Sequence, residues 1–178
     1  MIFSYLNGNI LIMEEVLNND KYILSYLKSN IIWDNSINSR KTASFGVPYN
    51  YSNISYDFNE IPSFFDELVN VIKINNNFTP NNCLINFYYD KNSKMGYHSD
   101  QIDILYSDTG IAIFSFGAER IMRFKNKSDK NLFFDIKLKN NSYLYMSQKS
   151  QIDWLHSILP SKETYNIERF SVTFRKIK

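Results

Sequence analysis

From Asn81 onward, apolar and polar residues alternate with a period of two, and that texture constrains the fold more than any other feature of the chain. Period two marks a strand with one buried face, because successive side chains point to opposite sides of a sheet. Strand candidates are Cys83–Tyr89, Ile111–Phe116, Ile121–Phe124, Leu132–Leu138, Ser142–Met146, Ile152–Ile158 and Glu168–Ile177, separated by turns holding Asp, Asn, Lys, Ser and Gly. Short strands so closely spaced predict a sandwich or jelly roll. Residues 1–80 differ in character. They open with a strand candidate at Asn9–Met13, followed by a helix at about Asn19–Asn30 with a partial stripe of Tyr22, Leu24, Tyr26 and Leu27. A second helix is predicted over Pro62–Ile74, where Pro62 suits a first turn and Phe64, Phe65, Leu68, Val71 and Ile72 recur at three- and four-residue spacing. Trp33 to Ser55 reads as surface loops and short hairpins. The fold class expected is therefore α+β, mainly β. No repeat or Pro/Gly linker divides the 178 residues, so residues 1–178 are read as one domain, with 1–80 a helical and lid region and 81–178 the core.

Charge and cysteine content narrow the function classes. A formal net charge of +2 is too small for a strongly basic nucleic-acid binder, so contacts with phosphate must come from a local patch. The single cysteine, Cys83, excludes an intramolecular disulfide, fits a reducing compartment and sits in an apolar run as a core residue. No stretch is long and apolar enough to span a bilayer, and no basic n-region precedes the first apolar residues. The chain reads as a soluble intracellular monomer of the nucleus or cytoplasm, without a membrane partner.

Against that scaffold one triplet stands out, His98-Ser99-Asp100. On an extended segment it sets an imidazole and a carboxylate on the same side. The only other histidine, His156, lies in a later strand candidate. Two imidazoles and one carboxylate form a facial triad that binds Fe(II) and leaves coordination positions open for a co-substrate and dioxygen. In the final strand candidate, Arg169, Ser171, Thr173 and Arg175 alternate with Phe170, Val172 and Phe174. Two arginines directed into a β-core are costly unless they meet an anion, and a dicarboxylate such as 2-oxoglutarate supplies one. The other reading of this segment is an edge strand with its polar face in water.

The ordered set Cys83–Tyr89, His98-Ser99-Asp100, Phe114-Ser115-Phe116-Gly117-Ala118-Glu119-Arg120, Trp154-Leu155-His156 and Arg169–Arg175 resembles the AlkB family, Fe(II)- and 2-oxoglutarate-dependent nucleic-acid dealkylases. It covers essentially all of residues 81–178, and the closing Thr173-Phe174-Arg175-Lys176-Ile177 is most similar to the eukaryotic DNA-repair members. The resemblance implies a double-stranded β-helix (jelly roll) core. It implies His98, Asp100 and His156 as iron ligands, and Asn86 and Tyr88 as hydrogen-bond partners of 2-oxoglutarate. Arg169 would bridge the distal carboxylate of that co-substrate as part of the catalytic set. Arg175 would lie near its metal-proximal carboxylate, and Ser171 stands where the family often has Asn.

The N-terminal half is similar to the family more loosely. Arg40 to Gly46 followed by Tyr49-Asn50-Tyr51-Ser52 resembles its nucleotide-recognition lid, with Tyr49 and Tyr51 placed to stack on a flipped base and Trp33 beneath. A hairpin burying aromatic surface is the alternative for those tyrosines. Arg40, Gln101 and Arg120 join the substrate-binding candidates. Ile102 departs from the family, which often has an acidic residue there. The activity expected is oxidative demethylation of N-alkylated bases in DNA or RNA with Fe(II), 2-oxoglutarate and O2. The same chemistry on tRNA or on a protein is the second reading, and a catalytically silent binding module the third.

Overall fold

The computed structural model describes residues 1–49, 57–165 and 167–178. Strands dominate. They are β1 (Ile2–Tyr5), β2 (Ile10–Glu14), β3 (Lys41–Gly46), β4 (Asn82–Tyr88), β5 (Met95–His98), β6 (Gly110–Gly117), β7 (Arg120–Asn126), β8 (Phe133–Leu138), β9 (Ser142–Ser147), β10 (Trp154–Ile158) and β11 (Arg169–Arg175). Helices α1 (Asp20–Ser29), α2 (Asp66–Asn76) and the one-turn α3 (Ser150–Asp153), with a 3-10 turn at Ser63–Phe65, complete the described elements. A seven-stranded sheet runs β1-β2-β9-β6-β11-β4-β3 and a four-stranded sheet runs β5-β10-β7-β8. Neighbours within each sheet are antiparallel. Two antiparallel sheets with non-sequential neighbours are consistent with a jelly roll. No helix among the described residues is long and apolar enough to cross a membrane.

The period-two texture explains the layering. In β11, Phe170, Val172 and Phe174 project to one face of the large sheet, where they join Cys83, Ile85 and Phe114 beneath the helices. Phe87 stacks on Phe170 with ring centroids 4.4 Å apart. The opposite face carries Leu84, Tyr88 and Ile113, which meet Met122, Phe124, Ile136 and Ile158 of the small sheet. Each fully buried aliphatic or aromatic side chain contributes roughly 1.5–3 kcal/mol. β11 lies between β4 and β6 in the interior of its sheet, so the reading of it as a water-facing edge strand is set aside.

Both main helices form near their expected places, with adjustments that have physical causes. α1 buries Ile23 and Leu27, one turn apart, while Tyr22 of the expected stripe is 70% exposed. α2 begins later than Pro62, because Ser63–Phe65 is a 3-10 turn capped by that proline. It ends where Asn77 takes a left-handed conformation at φ 56°. The hairpin partner β1 was absent from the candidates, and the stretch Trp33–Ser55 contains β3 rather than only loops and hairpins. β3 pairs with β4 along its whole length, from Lys41 opposite Phe87 to Gly46 opposite Asn82.

Gly117 closes β6 and starts the tight passage to β7 in the other sheet. Its φ is +85°, and a Cβ there would stand 2.4 Å from the carbonyl oxygen of Glu168, so only glycine fits without a shift.

Candidate active site

Strand pairing brings the two histidines together. β10 runs antiparallel to β5 with His156 directly opposite His98, and their ring centroids are 4.3 Å apart. β5 ends at His98, so the following loop, and not the pleat of a strand, turns Asp100 to the same point. The ligand atoms of His98, Asp100 and His156 all lie within 4.8 Å of one another, with His156 Nε2 at 3.5 Å from Asp100 Oδ2. His98 Nδ1 lies 2.9 Å from the carbonyl oxygen of Gly96. A carbonyl only accepts, so that contact places the proton on Nδ1 and leaves the Nε2 lone pair for a metal.

The protonation states suit a divalent cation. Burial would raise the Asp100 carboxyl, but the Arg175 guanidinium and the two imidazoles overcome it and hold the group down at about 2. Burial, with the His98 charge adding to it, lowers His156 to about 3, although Asp100 opposes the change. At neutral pH the pair is therefore an anionic carboxylate beside a neutral imidazole, which are the ligand forms Fe(II) takes. Asp100 is also fixed from three other directions. Arg175 donates to its Oδ1 from both Nε, at 3.1 Å, and Nη2. The Tyr49 hydroxyl lies 3.3 Å from the same oxygen, and the Asp100 amide donates to Gln151 Oε1 at 2.9 Å.

A cavity of about 410 Å³ opens beside this cluster, and the polar face of β11 forms one wall of it with Arg169, Ser171, Thr173 and Arg175. β4 adds Leu84, Asn86 and Tyr88. Arg169 is completely buried. Its Nη2 donates to Ser115 Oγ at 2.9 Å, whereas Nε and Nη1 meet no hydrogen-bond acceptor among the described residues. Burial lowers it only to about 10, so it remains a cation at neutral pH. A buried guanidinium with unanswered donors, lining a cavity beside a metal-ligand cluster, fits the carboxylate of a small diacid. Asn86 sits between Arg40 and Ser171, accepting from Arg40 Nε at 2.8 Å and donating to Ser171 Oγ at 3.4 Å. Arg175 differs from the expectation in one respect, since its guanidinium is engaged with Asp100 and lies 4.1 Å from the Tyr49 ring.

The substrate-side candidates separate. Arg40, Tyr49 and Gln101 line the cavity. Gln101 stands exposed at its mouth, with Nε2 donating to Asp103 Oδ2 at 3.3 Å. Tyr51 lies outside the described residues. Arg120 is a correction: it is 2% exposed, away from the cavity lining, and donates to the carbonyl oxygens of Asp90 at 2.7 Å and Ile167 at 3.1 Å. A guanidinium committed to loop carbonyls has no reach to a substrate. Trp33 packs on Phe87 and Phe170, on the helix side of the large sheet. Gln151 was missed. Its contact with the Asp100 amide arises only from folding α3 against the loop after β5, and no local spacing signals it.

Similarity to known proteins agrees with this geometry. The family model of the 2OG-Fe(II) oxygenase superfamily matches residues 20–175. The chain belongs to that superfamily. Within it the chain is an AlkB-type member, and membership brings Fe(II), 2-oxoglutarate and O2 as cofactors and co-substrates. It is 31% identical over 176 residues to the Alpha-ketoglutarate-dependent dioxygenase alkB homolog 3 of Mus musculus, a match covering 88% of this chain and 61% of that protein. It is 28% identical over 148 residues to the DNA oxidative demethylase ALKBH2 of Bos taurus, covering 78% of this chain and 53% of the relative. The chain thus spans only half to three fifths of these curated relatives. The solved structure of OsALKBH1 superposes with a TM-score of 0.75 at 17% identity, covering 97% of this chain and 100% of that one, and supports the fold.

Proposed function

We propose that this chain is an Fe(II)- and 2-oxoglutarate-dependent dioxygenase that oxidatively demethylates N-alkylated bases in DNA or RNA, as in DNA dealkylation repair. The observation that carries the reading is a single cavity lined by His98, Asp100 and His156 together with the buried Arg169. Names of the relatives point to the same substrate class, since ALKBH2 of Bos taurus is a DNA oxidative demethylase.

In this reading His98, Asp100 and His156 hold the metal. The bound metal, with 2-oxoglutarate and O2, supplies oxidation of an N-methyl carbon, giving succinate, CO2, formaldehyde and the unmodified base. The chain's own residues do the rest. Arg175 and Tyr49 keep Asp100 ionised and aimed, and the Gly96 carbonyl fixes the His98 tautomer. Arg169 takes the distal carboxylate of the diacid, with Asn86, Tyr88 and Ser171 along the same wall. Leu84, Ile113, Met122 and Ile158 form the apolar part of the lining and exclude water from the reacting centre. Tyr49 and Gln101 face the incoming base, and the segment around Tyr49 serves as a recognition lid.

Release of succinate and formaldehyde with methylated single-stranded DNA, duplex DNA and RNA tests the proposal. Formaldehyde release that requires a methylated oligonucleotide supports it. Turnover of 2-oxoglutarate indifferent to every nucleic acid would instead favour a protein hydroxylase or demethylase, and turnover stimulated by tRNA alone would favour a tRNA-directed enzyme.

A further inference from the structure

Of the three candidate metal ligands, two are held by a strand ladder and one is not. His98 and His156 face one another through the β5–β10 pairing, whereas Asp100 lies beyond His98, the last residue of β5. An aspartate side chain has only two rotatable bonds, each with few settings, so the place of its carboxylate follows the place of its main chain.

Gln151 meets that main chain. Its Oε1 accepts from the Asp100 amide at 2.9 Å, and both residues are buried. The other end of the same side chain is engaged as well, with Nε2 donating to Ser150 Oγ at 2.9 Å and lying 3.6 Å from Met146 Sδ. Ser150 gives its one hydroxyl hydrogen to the Ser147 carbonyl oxygen at 2.7 Å, so toward Gln151 it can only accept. That order fixes which end of the Gln151 amide is oxygen and turns Oε1 to Asp100. A chain of bonds thus ties the loop to Ser147 at the end of β9, and Lys127 Nζ steadies the Gln151 carbonyl oxygen at 2.7 Å. Gln151 also precedes His156 in the run from α3 into β10, so the loop carrying one ligand is docked on the segment carrying another. Arg175 engages the Asp100 carboxylate and Tyr49 accepts from the next amide, that of Gln101, at 3.3 Å. Neither replaces an acceptor for the Asp100 amide, and a buried amide that loses its acceptor turns toward water.

We propose that Gln151 is a positioning residue of the metal centre: it sets the Asp100 carboxylate against His156, while strand register sets the imidazole pair. The inference rests on the reading that His98, Asp100 and His156 hold the metal.

Anaerobic titration of the metal-free chain with Co(II), followed by calorimetry and by the visible absorption of the bound ion, reads metal binding without turnover. Gln151→Met, close in size but without the acceptor, should weaken Co(II) binding by about tenfold, as loss of a group that orients a ligand does. It should also change the visible spectrum, while circular dichroism stays that of the parent chain. Gln151→Glu, which keeps an acceptor at that place, should bind Co(II) more tightly than Gln151→Met. In an Asp100→Ala background Gln151→Met should cost no further affinity, because the group it positions is gone. Should Gln151→Met fail to fold, Gln151→Asn, which draws the acceptor back by one carbon, carries the same expectations. An equal loss in both backgrounds would make Gln151 a general support of the fold and overturn the inference, as would undiminished affinity in the single variant. If Asp100→Ala itself binds Co(II) like the parent chain, the ligand reading falls with it.

Discussion

Asp100 is met by four groups that came from four parts of the chain: Tyr49, Gln151, His156 and Arg175. Its low pKa comes from Arg175, His156 and His98 acting against burial, and His156 is its mirror image, neutral because burial outweighs the nearby carboxylate. The sign of the resulting pH dependence follows. Below 6.5, the unfolded chain takes up a proton that buried His156 refuses down to about 3, so stability of the metal-free protein falls as pH drops through that window. Asp100 adds a further loss between 3.8 and about 2, because its folded value is depressed as well. Thermal midpoints recorded from pH 8 to lower pH, on the order of two units below the ordinary histidine value, should decline; a flat or rising profile would contradict the burial of a neutral His156. His156→Ala should abolish turnover, measured as succinate release, while circular dichroism stays close to that of the parent chain. Arg169→Ala should raise the 2-oxoglutarate KM by about 10- to 100-fold, the loss of a charge-assisted pair of about 1.5–3 kcal/mol. An unchanged KM would remove Arg169 from the co-substrate wall.

At the scale of elements, β11 was the most legible piece of the molecule. Its strict alternation in Arg169–Arg175 foretold two faces, and the fold sends the phenylalanines to the helices and the arginines to the cavity. β3 and β5 were not legible, for different reasons. Lys41–Gly46 mixes small and polar residues, and its place in the sheet depends on β4 rather than on its own pattern. Met95–His98 is only four residues long, too short for a periodicity to register. The site followed the same division. The ligands showed through because histidine is scarce in this chain, whereas Arg120 misled because a guanidinium bound to loop carbonyls looks the same in sequence as one free to meet phosphate. The turn between β6 and β7 offers a check on the sheet-to-sheet passage. Gly117→Ala should destabilise the fold by more than ~1 kcal/mol in a denaturant titration, since the added Cβ meets the Glu168 carbonyl oxygen at positive φ. A neutral substitution would mean the passage is looser than the packing indicates.

For the whole molecule, the two sheets bring residues far apart in the chain to one cavity, and the chain achieves this while matching only part of the length of its relatives, 61% of the mouse alkB homolog 3. The account stands on the convergence of two imidazoles and one carboxylate on a single metal ion. Anaerobic calorimetric titration of the metal-free chain with Fe(II) tests that convergence most directly. One Fe(II) should bind per chain, and His98→Ala, Asp100→Ala and His156→Ala should each weaken binding by more than an order of magnitude, roughly the effect of losing one ligand. Undiminished affinity and stoichiometry in any one of the three variants would show that its side chain does not hold the metal and would contradict the account.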